Sequence, residues 1–262
     1  MNLKKKVCIL YDVYRNKRKN FSFFYIIRKV SNILKNDGLN GLKQRVFEMH
    51  IRYSILDQNE IVKLLKITDD EVTVAKKEIE NFCYSPTISI IMPVYNTKKE
   101  LLENAIISLK NQIYSNWELC IVNDCSNKEE TLELLAKYKK NDDNRIKILD
   151  NSVNLGISES SNKALKMATG EYIGLLDHDD ELSKDALYSV VKILNKNKYD
   201  VIYSDECNID ENGNYYNCFF KPDWSPELLL NYMYIGHFTV YNKSIIEELN
   251  GFRKEYDFSQ DY

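Results

Sequence analysis

The chain has 262 residues, 44% of them hydrophobic and 29% charged, with eight glycines, four prolines and a formal net charge of −3. That is enough apolar material for one large core with an appendage. No apolar run reaches the roughly 18 residues of a membrane span, and the charged start lacks the apolar core and small-residue cleavage site of a secretory signal, so secretion by a classical signal is not expected.

The charge is unevenly spread. Met1 to Tyr53 carries thirteen Lys or Arg against Asp12, Asp37 and Glu48, a balance of +10, so the remainder carries −13. The two parts are expected to meet different partners. Cys8, Cys83, Cys120, Cys125, Cys207 and Cys218 form no CxxC pair, and Cys120 sits inside an apolar run. Reduced, partly buried thiols in a cytosolic protein are expected, rather than a disulfide or zinc framework.

In chain order, residues 1–85 read as a basic helical extension. "FSFFYIIRKVSNILKN" (21–36) mixes an apolar patch with Arg28, Lys29 and Lys35. It suits a helix packed on the main domain, or one lying on the anionic inner face of a membrane. Asp69 to Asn81 reads as a further helix, stopped before Pro86. From Thr87 the pattern changes. "TISIIMPVYN" has the pattern of a buried strand, and "WELCIVNDCS", "RIKILDN", "EYIGLLDHDD" and "YDVIYSDE" read as four more strands, each of the first four of the five followed by a segment with helical spacing. Gly170 closes the third of these helices and Ser183 is placed to cap the fourth. This alternation implies an α/β domain over residues 86–262, with a mostly parallel central sheet flanked by helices. After Glu206 it breaks down into a strand, a turn at Pro222, a short helix from about Ser225, the strand "HFTVYN" and a helix ended by Gly251.

Open parallel sheets bind ligands outside the carboxyl ends of their strands. Those ends carry Pro93, Tyr95 and Asn96; Asn123 and Asp124; Asn151, Asn154 and Gly156; Asp177, His178, Asp179 and Asp180; and Asp205 and Glu206. Such an acidic rim suits Mg²⁺ or Mn²⁺, which take carboxylate, phosphate and water oxygens. Neither GxxxxGKS nor GxGxxG is present, so a phosphate would be gripped through the metal. Tyr95 offers an aromatic face for a base, and Asp124 an acceptor for a ring N–H. Together these describe a site for a nucleoside diphosphate carrying a further group. An Asp after a strand is more often a turn former or helix cap, and Asp180 fits that ordinary role. His178 reads as an exposed turn residue or a polar neighbour of the ligand.

"SIIMPVYNT", "SLKNQIYSNWELCIVNDCS", "NLGISESSNKALKMATGEYIGLLDHDDEL" and "YSDE" resemble the family 2 glycosyltransferases of GT-A fold. "FKPDWSPELLLNYMYIGHFTVYNKSIIEELNGFR" and "SQDY" resemble the bacterial branch that builds O-antigen, rhamnose-containing and other cell-surface polysaccharides. The match runs from about Ser89 to the end. It implies a nucleotide-diphosphate-sugar transferase whose donor pocket is shaped by Pro93 and Tyr95, with Asp124 on the base and Asn154 lining the same pocket. Asp177-His178-Asp179 would be the DxD motif, with Asp179 on the metal and Asp177 on the ribose or also on the metal. Asp261 falls at the position of the catalytic base, and a single base implies inversion at the anomeric carbon.

The implied partners are the sugar nucleotide, Mn²⁺ or Mg²⁺ and a glycan or lipid-linked acceptor. No nucleic acid is expected. The implied location is the cytoplasm, with peripheral contact to the membrane through the basic N-terminal region. Family members continue past the SQDY position with a segment that closes the acceptor side. Ending at Tyr262, the chain reads as C-terminally truncated, and Phe258 replaces an expected glycine. The competing expectation is a non-catalytic module that binds a nucleotide sugar without an acceptor site. A haloacid-dehalogenase phosphatase would need DxDxT after the first strand, and a sugar nucleotidyltransferase a Gly-rich basic loop there; "PVYNTKKE" supplies neither.

Overall fold

The computed structural model describes residues 58–257. The basic stretch before residue 58, including the 21–36 segment, and Phe258 and Asp261 lie outside the described residues. Among the described residues no helix is long and apolar enough to cross a membrane.

The main unit comprises residues 66–208 and 218–257. It begins with helix α2 (Asp69–Glu80) and then alternates β1 (Ile88–Val94), α3 (Lys99–Lys110), β2 (Trp117–Asn123), α4 (Glu129–Lys139), β3 (Ile146–Asp150), α5 (Ile157–Met167), β4 (Tyr172–Leu175), α6 (Ala186–Leu194) and β5 (Val201–Tyr203). Strands β6 (Glu206–Ile209) and β7 (Tyr215–Phe219) form a separate two-stranded sheet. The short α7 (Pro226–Leu229), β8 (Thr239–Asn242) and α8 (Lys243–Glu248) follow. A second compact unit contains helix α1 (Gln58–Leu65) and residues 209–217, the tip of the β6–β7 hairpin.

The strand order is β3-β2-β1-β4-β8-β5. Neighbours from β3 to β4 run parallel, while β8 is antiparallel to both β4 and β5. The mostly parallel, helix-flanked sheet is therefore as expected, with one reversed strand inserted between the fourth and fifth.

Strand β1 shows why this sheet is buried on both faces. Ile88, Ile90, Met92 and Val94 point into a core with Leu102, Ile106 and Leu109 of α3, Leu134 and Leu135 of α4 and Leu187 and Val191 of α6. Ile91 points the other way, joining Cys120 and Val122 of β2, Ala164 and Leu165 of α5 and Ile246 of α8. Successive strand residues face opposite sides, so a run of β-branched and apolar residues fits only where both sides are covered. Truncating a fully buried Leu such as Leu102 to Ala in this setting costs roughly 2–5 kcal/mol. Helix α2 belongs to the same unit. It is opened by a capping box in which Thr68 and Glu71 satisfy each other's backbone N–H, and Ala75 enters the core.

Three local expectations are corrected. Helix α5 ends at Met167 with Ala168 at its C-cap, and Gly170 lies beyond it, its N–H donating to Ser89 Oγ at 2.8 Å. Helix α6 is entered through Asp185 without a side-chain cap, and the Ser183 carbonyl instead accepts from Gln112 Nε2 at 2.7 Å. Cys207 and Cys218 are joined as a disulfide rather than free. The β6–β7 hairpin sets these two cysteines side by side across a separation of 11 residues, which no spacing motif announces. Of the other described cysteines, Cys120 is buried and free, and Cys83 and Cys125 are exposed and free.

One buried ion pair holds the amino end of the sheet. Glu118 of β2 accepts from Ser89 Oγ at 2.6 Å, from Thr169 N at 2.5 Å and from Lys147 Nζ at 2.6 Å. Burial alone would raise its carboxyl, but the bonds from Lys147, Ser89 and Thr169 outweigh it and hold it at about 2, against an ordinary 4.5. A depressed carboxylate stabilises the fold above its unfolded pKa, and the contribution is lost as pH falls through the folded one. Lys147→Met strands this carboxylate, so urea denaturation at neutral pH should show a loss of about 3 kcal/mol. The gap to the parent chain should narrow between pH 4.5 and 2.

Candidate active site

The parallel register sets the carboxyl ends of β1, β2 and β3 level: Val94 pairs with Asn123, and Asn123 with Asp150. The chain leaves β1 as Tyr95-Asn96, with Tyr95 47% exposed and Asn96 at φ +53°. Asn96 Oδ1 accepts from the Asn127 and Lys128 backbone at 2.8 and 3.0 Å, which ties the β1 exit to the β2 exit. The exposed Tyr95 ring is thus carried on a braced turn.

Asp124, one residue past β2, is buried. Its carboxylate accepts from Asn151 Nδ2 at 2.8 Å, Leu155 N at 2.8 Å and Gly156 N at 2.9 Å. Asn154 Nδ2 donates to the Asp124 carbonyl at 3.3 Å. Asp124 and Asn154 are therefore neighbours, and Asp124 shapes the turn leading into α5. Gly156 in that turn has φ +91°, and a Cβ there would lie 2.6 Å from Asp257 Oδ2. Asp257 Oδ1 in turn accepts from Ser158 N at 3.1 Å, placing a carboxylate at the positive end of α5.

The 250s are fastened to α5. Asn162 exchanges two hydrogen bonds with the Phe252 backbone, at 2.7 and 2.8 Å, and Ser158 Oγ donates to the Arg253 carbonyl at 3.2 Å. Phe252 consequently helps line a small pocket with Pro93, Ile157, Ser161, Leu176 and Asp177. Two of the residues picked from sequence, Pro93 and Asp177, meet in that pocket.

The reversed strand β8 completes the rim. It pairs Leu175 with Thr239, so the chain leaving β4 and the chain entering β8 meet at this end of the sheet. The His237 ring lies 3.8 Å from Asp177 Oδ2 through Nε2 and 3.7 Å from Asp180 Oδ2 through Nδ1. One ligand atom each from Asp177, Asp180 and His237 fall within 4.8 Å of one another. Asp179 stands outside this trio, its Oδ1 3.5 Å from His178 Nδ1. Burial raises the Asp180 carboxyl. His237 opposes that shift, and the charges on Asp177, Asp179 and Glu206 add to it. Such crowding of carboxylates around an imidazole fits a divalent cation, and two oxygens with one nitrogen suit Mn²⁺ or a similar ion.

His237, and the place of Asp180 beside it, were not picked out from the sequence. His237 lies 60 positions from Asp177 in a segment with no metal-spacing motif, and the two meet only in the folded chain. A signal for Asp180 was present in the doubled Asp179-Asp180, which turn chemistry explained equally well.

The strand order and rim define a GT-A-like α/β fold with a potential divalent-cation site at its carboxyl edge. The profile of glycosyl transferase family 2 matches residues 89–250, and the chain belongs to that family. It is 40% identical over 178 residues to an uncharacterised protein, y4gI, of Sinorhizobium fredii, covering 68% of this chain and 20% of that protein. It is 30% identical over 190 residues to the O-antigen biosynthesis protein RfbC of Myxococcus xanthus, covering 72% of this chain and 15% of the relative. The chain thus spans a fifth or less of the length of these two relatives. The fold is also that of a mannosyltransferase from Pyrobaculum calidifontis solved with GDP-Man and Mn²⁺, with a TM-score of 0.52 and 17% identity, covering 72% of this chain and 57% of that one.

Proposed function

We propose that this chain is the donor-binding and catalytic part of an inverting, metal-dependent glycosyltransferase that moves a sugar from a nucleotide diphosphate to a hydroxyl of a cell-surface glycan or lipid-linked acceptor. The observation that carries the reading is the gathering of Asp177, Asp180 and His237 at the strand ends, beside the pocket that Pro93 and Asp177 share, in a family 2 fold. The likeness to the O-antigen biosynthesis protein of Myxococcus xanthus supports the acceptor class.

In this reading Tyr95 lies against the base, Asp124 spends a remaining carboxylate lone pair on a base N–H, and Asn154 lines the same pocket. Asp177 belongs both to the DxD motif with Asp179 and to the trio with Asp180 and His237, so it is the ligand on which both assignments agree. His178 borders the ribose side. A bound Mn²⁺ or Mg²⁺ supplies positive charge to the departing diphosphate. Asp261 takes the proton of the attacking hydroxyl as a general base from the opposite face of the sugar. Displacement without a covalent intermediate inverts the anomeric carbon. The basic charge of residues 1–53 is the part of the chain suited to peripheral contact with the cytoplasmic side of a membrane, where lipid-linked acceptors are presented.

Calorimetric titration of UDP, dTDP and GDP, with and without Mn²⁺, tests this. Binding of one nucleotide that requires the metal is expected. A folded chain that binds none of them under either condition would contradict the reading.

A further inference from the structure

Lys221 follows β7 and lies far from the sequence motifs, yet its side chain is only 1% exposed. An ammonium has three N–H donors and no acceptor. All three are used here: Lys221 Nζ donates to Glu206 Oε2 at 2.9 Å, to the His237 carbonyl at 2.5 Å and to the Ile235 carbonyl. The same Glu206 oxygen accepts from His237 N at 3.0 Å, and Asp205 Oδ1 accepts from Lys221 N at 2.7 Å. The backbone of 235–237 is therefore wrapped around one buried cation. Gly236, at φ +43°, permits this, since a Cβ there would stand 3.1 Å from Glu206 Oε2.

The residue so held is His237, whose ring stands over Asp177 and Asp180. From this we infer that Lys221 is a positioning residue for the cation site, acting through Glu206 and the 235–237 backbone to fix the imidazole at ligating distance. The inference rests on the proposed cation site and goes beyond it by naming what builds the histidine side of it. Lys221 does not touch the metal. Its positive charge also offsets Glu206, one of the carboxylates that burden Asp180. Burying an ammonium is costly unless every donor is paired, so a lysine placed here for packing alone would be a poor choice.

The test uses Mn²⁺ alone, titrated into the full chain and followed by EPR. Lys221→Met, which keeps the stem and removes the charge, and Glu206→Gln, which keeps an acceptor and removes the charge, are each combined with His237→Ala. Loss of a supporting residue around a metal weakens binding by about 10–100-fold. Lys221→Met is expected to weaken Mn²⁺ binding at least tenfold, and Glu206→Gln less. Neither should weaken it further once His237 is alanine, because both act through that ring. Lys221→Arg is not expected to rescue, since its planar fork cannot reproduce three converging bonds. Unchanged Mn²⁺ affinity in a folded Lys221→Met or Glu206→Gln chain would overturn the inference while leaving the site intact, provided His237→Ala does weaken binding. Losses that add to that of His237→Ala would overturn it equally, by showing that Lys221 acts elsewhere. If Lys221→Met does not fold, the Glu206→Gln cycle decides by itself. A parent chain that binds no Mn²⁺ would remove the cation site and the inference with it.

Discussion

Asp177→Asn should abolish the metal dependence of nucleotide-sugar binding, with a loss of more than about 100-fold in Mn²⁺-dependent affinity, since even supporting residues around a metal are worth 10–100-fold. The substitution is isosteric and the side chain is half-exposed, so the fold should survive. Asp177 is the one carboxylate common to the proposed DxD motif, Asp177-His178-Asp179, and to the trio with Asp180 and His237. Its neighbours separate the two assignments. If folding has gathered the true ligands, Asp180→Asn will approach the Asp177→Asn loss and Asp179→Asn will fall well short of it. If the motif's spacing decides, the order will reverse. Asp180→Asn should also raise the melting temperature of the metal-free chain, because its carboxyl is pushed up by burial and by Asp177, Asp179 and Glu206. A thermal scan at neutral pH, without and with Mn²⁺, reads both effects. An Asp180→Asn chain that is less stable without metal would count against this picture.

Asp124→Ala should be the most damaging single change to the fold near the site. The buried carboxylate satisfies Asn151 Nδ2 and the backbone N–H groups of Leu155 and Gly156. Removing it takes the acceptor from the Leu155 and Gly156 N–H groups and leaves Asn151 Nδ2 with its bond to Ser160 Oγ at 3.0 Å. Each buried unsatisfied group costs about 1–3 kcal/mol, so a loss of about 3–5 kcal/mol is expected after partial relaxation. For a domain of this size that corresponds to a fall of roughly 10 °C in melting temperature. The same turn enters α5 at Gly156, and α5 carries Ser158 and Asn162, which fasten the 250s. Loosening it should therefore expose the 250–257 backbone to hydrogen exchange along with residues 151–156. Protection retained in both segments would show that Asp124 is not their support. Asp124→Asn, which keeps one acceptor oxygen, should recover part of the stability.

Much of the fold was legible because strand and helix periods differ and the punctuation is local. β1 read as a buried run because both faces are covered, and α2, read over Asp69 to Asn81, runs Asp69–Glu80 with Asn81 as its C-cap. Gly251 ended the helix after β8 as read, its N–H returning to the Ile246 carbonyl at 2.8 Å. The carboxyl edge of the sheet was legible from the parallel alternation alone, and Pro93 and Asp177, both read at strand ends, line one pocket there. What was not legible depends on pairings that no local pattern encodes. β8 reads as an ordinary short strand, and nothing in "HFTVYN" says that it runs backwards between β4 and β5. That single reversal brings His237 to Asp177, sends Lys221 under the 235–237 backbone and gives Asp180 a partner. The Cys207–Cys218 pair was missed for the same reason, since its partners meet only across a hairpin.

The central claim is that the chain leaving β4 and the chain entering β8 together hold a divalent cation. Pulsed EPR of the Mn²⁺-loaded chain measures this directly, because a ligating imidazole imprints nitrogen couplings on the metal. The account expects couplings from one histidine, present in the parent chain and in Asp179→Asn, and absent in His237→Ala. Bound Mn²⁺ with no nitrogen coupling, or couplings that persist in His237→Ala, would contradict it.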